Sequence, residues 1–151
     1  NGTDNTAPII ENLEKRSGEF KKVYIMLGLN EIGYENYSVP MGRYKTIIDR
    51  VRACQPDADI YLQTILPITK YLEQHHGYLR KSKVADYNAR LQAVAAEKKV
   101  YLIDPTPVFA GTDGFMTEAA AASRNDIDGE MHFNKTYCQK WLDYLTTHTV
   151  K

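Results

Sequence analysis

Lys22-Val23-Tyr24-Ile25-Met26-Leu27-Gly28-Leu29-Asn30-Glu31-Ile32-Gly33 is a continuous apolar, β-prone run that stops at a glycine and a polar amide. The run does not alternate, which suits a parallel strand covered on both faces and therefore internal to its sheet. Asn30 then lies just beyond the strand's carboxyl end, where open α/β sheets bind ligands, and the glycines on either side permit close approach. Taken alone, the hexapeptide from Gly28 reads equally as an amide bonded to its own turn.

Working outward, Thr6 to Arg16 opens with Thr-Ala-Pro and carries Ile9, Ile10 and Leu13 on one face, which predicts a short helix ending before Gly18. From Ser38 and Pro40 the positions Tyr44, Ile47, Ile48 and Val51 repeat at helical spacing, and Gln55-Pro56-Asp57 closes that helix. A second strand is expected over Asp59 to Ile65. A loop with Pro67 and His75-His76-Gly77 follows, then the longest helix, Lys81 to Lys98, with Val84, Tyr87, Leu91, Val94 and Ala95 on one stripe. Val100 to Ile103 is a third strand, an irregular segment runs to Met131, and Asn134 caps a last helix pointing Tyr137, Cys138, Trp141, Leu142 and Leu145 inward. The alternation predicts a parallel, layered α/β fold. A first strand covered on both faces calls for another strand before it, so one or more N-terminal strands are expected to be missing from these residues.

The 151 residues read as a single domain over 1–151, long enough to bury roughly 70% of the unfolded surface. Lys and Arg total 19 against 19 Asp and Glu, with no long run of either sign, which argues against nucleic acid as a partner. No stretch approaches the roughly 18 apolar residues of a membrane span. Cys54 and Cys138 stand far apart with no C-x-x-C spacing and read as two buried thiols rather than a zinc knuckle or disulfide framework. No initiator Met or signal segment is present, so the compartment stays open: cytoplasmic, or secreted or anchored through an N-terminal segment.

The second chemically rich stretch is Asp126-Ile127-Asp128-Gly129-Glu130-Met131-His132-Phe133-Asn134, just ahead of the last helix. Its plain reading is a solvated acidic loop with a histidine near a helix cap. Together with Gly28 to Glu31, however, it resembles the SGNH hydrolases, the GDSL esterase and lipase family, which share a flavodoxin-like three-layer α/β/α fold. Gly28-Leu29-Asn30-Glu31 is similar to the family's G-x-N-D block, with Glu31 in place of Asp, and Asp128 to His132 is similar to its D-x-x-H block. The family's Asp falls three residues before the His, where this chain has Gly129, so Asp128 fits with one extra loop residue and Asp126 is the reserve.

The resemblance implies an esterase or acylhydrolase working through an acyl-enzyme on a small-molecule carboxylic ester, a carbohydrate acetyl ester among the options, with no cofactor. It implies His132 as general base and acid, Asp128 as its orienting partner, Asn30 and Gly2 as oxyanion donors, and Gly28 and Glu31 lining the substrate site. The family's G-D-S block with the nucleophilic serine has no counterpart here. Ser17, Ser38, Ser82 and Ser123 read as loop or cap residues. The serine is thus expected on a missing N-terminal fragment, the isolated chain is expected to be inactive, and the open sheet edge is expected to be covered by that fragment or by another copy.

Three other readings differ in kind. The absent serine permits a non-catalytic binding module on the same fold. The spacing Asp126-x-Asp128-x-Glu130-x-His132 suits divalent-metal ligands on one face of an extended segment. Nucleotide binding has little support, since neither G-x-G-x-x-G nor a P-loop occurs. Tyr34, Tyr37 and Tyr78 sit in loops near the proposed cleft, where they could stack on a sugar, although loop tyrosines that are merely half-buried are common.

Overall fold

The computed structural model describes residues 7–150, with side chains described from Ile9 onward. Three strands form one parallel sheet in the order β1-β2-β3: β1 is Lys22–Ile25, β2 Asp59–Gln63 and β3 Tyr101–Ile103. Lys22 pairs with Asp59 and Ile25 with Leu62, while Tyr61 pairs with Tyr101 and Gln63 with Ile103. Helical crossovers join the strands, as parallel pairing requires. The helices are α1 (Ala7–Lys15), α2 (Ser38–Cys54), α3 (Lys70–His75), α4 (Lys81–Lys98), α5 (Thr106–Phe109), α6 (Ile127–Met131) and α7 (Lys135–Thr147).

The pleat assigns each face its partners. Val23, Ile25, Ile60, Leu62 and Leu102 turn to one side and merge with Ile10 of α1, Tyr44, Ile48 and Val51 of α2, and Val84, Tyr87 and Leu91 of α4 in the main core. The other side carries Tyr24, Tyr61 and Tyr101, which the register stacks into a ladder with centroids 5.1 and 5.0 Å apart. Helix α7 covers that side, with Trp141 Nε1 donating to Gln63 Oε1 at 3.0 Å. The result is the expected three-layer α/β/α arrangement.

The join between α1 and β1 depends on one buried amide. Gln55, at the end of α2, is fully buried; its Nε2 donates to the Leu13 and Arg16 carbonyls at 2.9 and 2.7 Å, and its Oε1 accepts from Phe20 N at 3.1 Å. Ser17 Oγ adds a bond to the Cys54 carbonyl, which is the turn role expected of it.

Several expectations need correction. Among the described residues the strand with partners on both sides is β2, whose Ile60 to Gln63 are buried, whereas β1 pairs on one side, with Lys22 exposed, Val23 and Tyr24 half-buried and Ile25 buried. No described strand covers the outer edge of β1. The stretch after Pro67 is partly helical, because Thr69 Oγ1 accepts from Leu72 N and starts α3. Cys54 is buried but Cys138 is exposed. Helix α7 packs through Tyr137, Trp141, Tyr144 and Leu145, so Cys138 and Leu142, about 100° further round, face outward.

Replacing Gln55 with Leu removes three hydrogen bonds, leaves the Phe20 N–H without a partner and leaves the Leu13 and Arg16 carbonyls with only their turn bonds from Arg16 N and Glu19 N. Urea unfolding monitored by circular dichroism should show a loss of about 3 kcal/mol with little change in slope.

Candidate functional site

The sheet opens at its carboxyl ends because two helix side chains take over the backbone there. Tyr44 Oη of α2 donates to the Leu27 carbonyl at 2.5 Å and accepts from Leu27 N at 2.8 Å. Asn88 of α4 does the same for the residue beyond β2: its Nδ2 donates to Ile65 O at 2.9 Å and its Oδ1 accepts from Ile65 N at 2.8 Å. With both backbone groups of each residue satisfied by a side chain, strands β1 and β2 part without leaving buried orphans.

Gly28 follows at φ +115°, a conformation open to glycine and strained for other residues. A Cβ there would also lie 2.3 Å from the hydroxyl of Tyr87, which is fully buried beneath it. Asn30 begins a 3-10 turn to Gly33, closed by Ile32 N to Gly28 O at 3.2 Å and Tyr34 N to Glu31 O at 3.0 Å. Tyr37 is buried, donates to Ile32 O at 2.9 Å and meets Tyr87 edge-on at 5.0 Å. Its role is structural, which corrects the stacking alternative for that residue. Tyr78 packs against Gly33 and His76, while Tyr34 is 44% exposed and lines the cleft. Among the described residues the Asn30 amide has no hydrogen-bond partner, so it is not consumed by its own turn. It faces a cleft of about 1360 Å³.

His132 lines the same cleft as Asn30, with Gly28 and Glu31 contributed by the Asn30 turn and Met131, Phe133 and Trp141 by the C-terminal segment. Its loop is tied down by Ala122 N to His132 O at 2.9 Å and Asn134 N to Ala120 O at 3.0 Å. Asn134 caps α7 as expected, accepting from Tyr137 N at 3.1 Å, and its amide also donates to Ala119 O at 2.7 Å. The His132 Nδ1 lies 2.7 Å from the backbone carbonyl of Asp128. A carbonyl oxygen only accepts, so Nδ1 carries the proton and Nε2 of the neutral ring holds the lone pair. The Asp128 carboxylate is farther, at 3.5 Å, and its side chain is 84% exposed.

The loop geometry bears on each acidic residue. Residues 127–131 form a helical turn rather than an extended segment, so Asp126, Asp128, Glu130 and His132 do not share one face, and among the described residues no group of three such side chains could hold a metal. Asp126 is used as the α6 cap, accepting from Gly129 N at 2.9 Å. Position 129 has no room for a side chain, since a Cβ would fall 1.7 Å from Ser123 Oγ. Glu130 is buried. Gly2 lies outside the described residues. No serine is among the described residues lining the cleft.

A family model described as GDSL-like Lipase/Acylhydrolase matches residues 2–137. The chain belongs to the GDSL-like lipase/acylhydrolase family. Solved structures share the fold at low identity. A platelet activating factor structure from Streptococcus pneumonia is 19% identical with a TM-score of 0.76, covering 95% of this chain and 67% of that one. A peptidoglycan O-acetylesterase is 14% identical with a TM-score of 0.67, covering 93% and 40%. A GDSL-like lipase from Bacteroides thetaiotaomicron is 16% identical with a TM-score of 0.65, covering 85% and 62%. The chain therefore spans between two-fifths and about two-thirds of the length of these neighbours. No curated protein matches it in sequence.

Tyr44 and Asn88 are the site-forming residues that periodicity does not single out. Tyr44 reads as one more core position on α2. Asn88 offers a faint signal, a polar amide four residues after Val84 on the buried side of α4.

Gly28→Ala meets both an unfavourable φ and the Tyr87 hydroxyl, and should cost at least about 2 kcal/mol in urea unfolding; Gly77→Ala, with open space around it, should cost under about 1 kcal/mol. Burial also raises the pKa of Tyr44 and Tyr87 above the ordinary tyrosine value. Their contribution to stability is complete below the unfolded value of about 10 and is lost as pH climbs beyond it. Unfolding free energy should therefore fall between about pH 10 and 12, less steeply in Tyr44→Phe.

Proposed function

We propose that this chain supplies the general base, the oxyanion amide and most of the substrate cleft of a carboxylic ester hydrolase. Its nucleophilic serine would come from polypeptide outside the described residues, seated along the free edge of β1. The observation that carries this reading is the convergence of Asn30 and His132, from sequence blocks about a hundred residues apart, on one cleft.

In this reading the serine hydroxyl attacks the ester carbonyl as its proton passes to His132 Nε2, the nitrogen left free by the bond between Nδ1 and Asp128. Negative charge gathers on the former carbonyl oxygen, where the Asn30 amide donates to it; Gly2 is proposed as a second donor. Collapse breaks the bond to the alcohol, which leaves with the proton from His132. A water molecule then attacks the acyl-serine by the same route, releasing the acid and restoring the serine. Each oxyanion donor of this kind is worth about 3 kcal/mol of barrier. Gly28 and Glu31 would line the acyl-binding part of the cleft. A carbohydrate acetyl ester suits the reading. The alternative, a binding module without catalysis, is the outcome if no serine is brought to His132.

Fluorophosphonate labelling followed by denaturing intact-mass measurement tests the assignment. The 151-residue chain alone should take no adduct and should hydrolyse 4-nitrophenyl acetate no faster than its His132→Ala variant. A longer or two-piece form that includes the serine segment should take one adduct on that segment and lose at least about a thousandfold in kcat on His132→Ala. An adduct on the chain itself, or turnover by it that His132→Ala abolishes, would overturn the missing-serine reading.

The 2.7 Å bond to a backbone carbonyl gives a sharper expectation for Asp128. In the complete enzyme Asp128→Asn should retain kcat within about tenfold, because an exposed carboxylate 3.5 Å away adds little to a ring already held. A loss near ten thousandfold, as when a buried triad acid is neutralised, would return the orienting role to the carboxylate.

A further inference from the structure

Glu130 is 1% exposed, and half of its carboxylate is unused by the protein. Oε1 accepts from Arg124 Nε at 3.2 Å and Asn125 N at 3.0 Å, whereas Oε2 is buried with no hydrogen-bond partner. A buried carboxylate oxygen without a donor is costly, and it calls for a partner that the protein itself does not supply. Glu130 lies two residues before His132 and lines two spaces at once, the catalytic cleft and a neighbouring cavity of about 260 Å³.

The walls of that second cavity narrow its ligand. Tyr71 and Phe115 contribute aromatic surface, and Thr69, itself buried, lies against it. Thr69 Oγ1 already accepts from Leu72 N, which leaves its hydroxyl proton to donate. The cavity's other charges are matched in pairs, Lys70 with Asp113 at 2.7 Å and Arg124 with Glu118 at 2.6 Å. A cationic ligand would meet Arg124 and Lys70, while an anionic one would meet Glu130. A neutral group rich in hydroxyls satisfies Oε2 without either repulsion, and the volume suits one ring rather than a whole ligand.

We propose that this cavity is a subsite for one sugar ring, held by a hydroxyl donating to Glu130 Oε2. That the ring is the alcohol portion of the ester rests on the esterase reading; the binding itself does not, and it is measured without turnover. The test is titration of the ¹⁵N-labelled chain with methyl β-D-glucopyranoside, followed by NMR at Asn125 N–H and Arg124 Nε–H. Saturable shifts are expected, with half-saturation below about 50 mM. In Glu130→Gln the amide carbonyl can still accept from Arg124 and Asn125, but an NH₂ replaces the free acceptor, so affinity should fall at least about tenfold.

Tyr71→Ala leaves the Glu130 contacts untouched and should also weaken binding, and it decides the matter if Glu130→Gln does not fold. Absence of saturable shifts, equal affinity in the folded variants, or saturation by methylammonium in place of the glycoside would overturn the subsite. Loss of the subsite with fluorophosphonate reactivity intact in the complete enzyme would leave the esterase reading standing, and the reverse result would leave the subsite standing.

Discussion

The cleft exists because the backbone at the ends of β1 and β2 is passed from the sheet to side chains. A parallel ladder satisfies both strands evenly, and wherever it stops, an N–H and a carbonyl lose partners in a place that water reaches poorly. Tyr44 meets both needs of Leu27 and Asn88 both needs of Ile65. The strands can therefore separate at their carboxyl ends, and the turn carrying Asn30 leaves the sheet in a fixed direction. Tyr37 and Tyr87 extend the same support under the next residues, so that the Asn30 amide stands on packed helices although it is itself on a loop.

The histidine side of the cleft is built by a different means. There the chain is irregular, and its shape comes from local bonds: Asp126 capping α6, Glu130 bonding Arg124 and Asn125, and Asn134 capping α7 while also reaching back to Ala119. Glycine at 129 lets the short helix press against Ser123. The stretch between Asp128 and His132 is thus taken up as a helical turn, and His132 reaches the cleft.

Much of the layer architecture is legible from residues. The stripes of α2 and α4 are long enough for helical periodicity to show, and the strands are short apolar runs bounded by turn residues. Short helices are less visible: α3 and α6, with six and five residues, carry too little of a period, and Thr69 and Asp126 as caps are the signals that find them. At Cys138 and Leu142 periodicity points inward and the structure outward, because apolar residues occupy two adjacent stripes of α7 and only one of them packs. That Asn30 and His132 line one cleft is legible from the two motifs that contain them, while their roles are not settled by position. The sequence offers the contact between Asp128 and His132 only as a side-chain pairing, since a sequence pattern carries no information about which backbone oxygen meets an imidazole.

That backbone contact changes what the residue at 128 must be. An imidazole oriented by a main-chain carbonyl depends on the path of the chain and makes no demand on the side chain that happens to project there. The position is then free to drift among residue types, and comparison of sequences would record it as dispensable even though the carbonyl that holds the imidazole belongs to it. The constraint has moved to the residues that set the path: Gly129, which alone fits against Ser123, and the caps at Asp126 and Asn134.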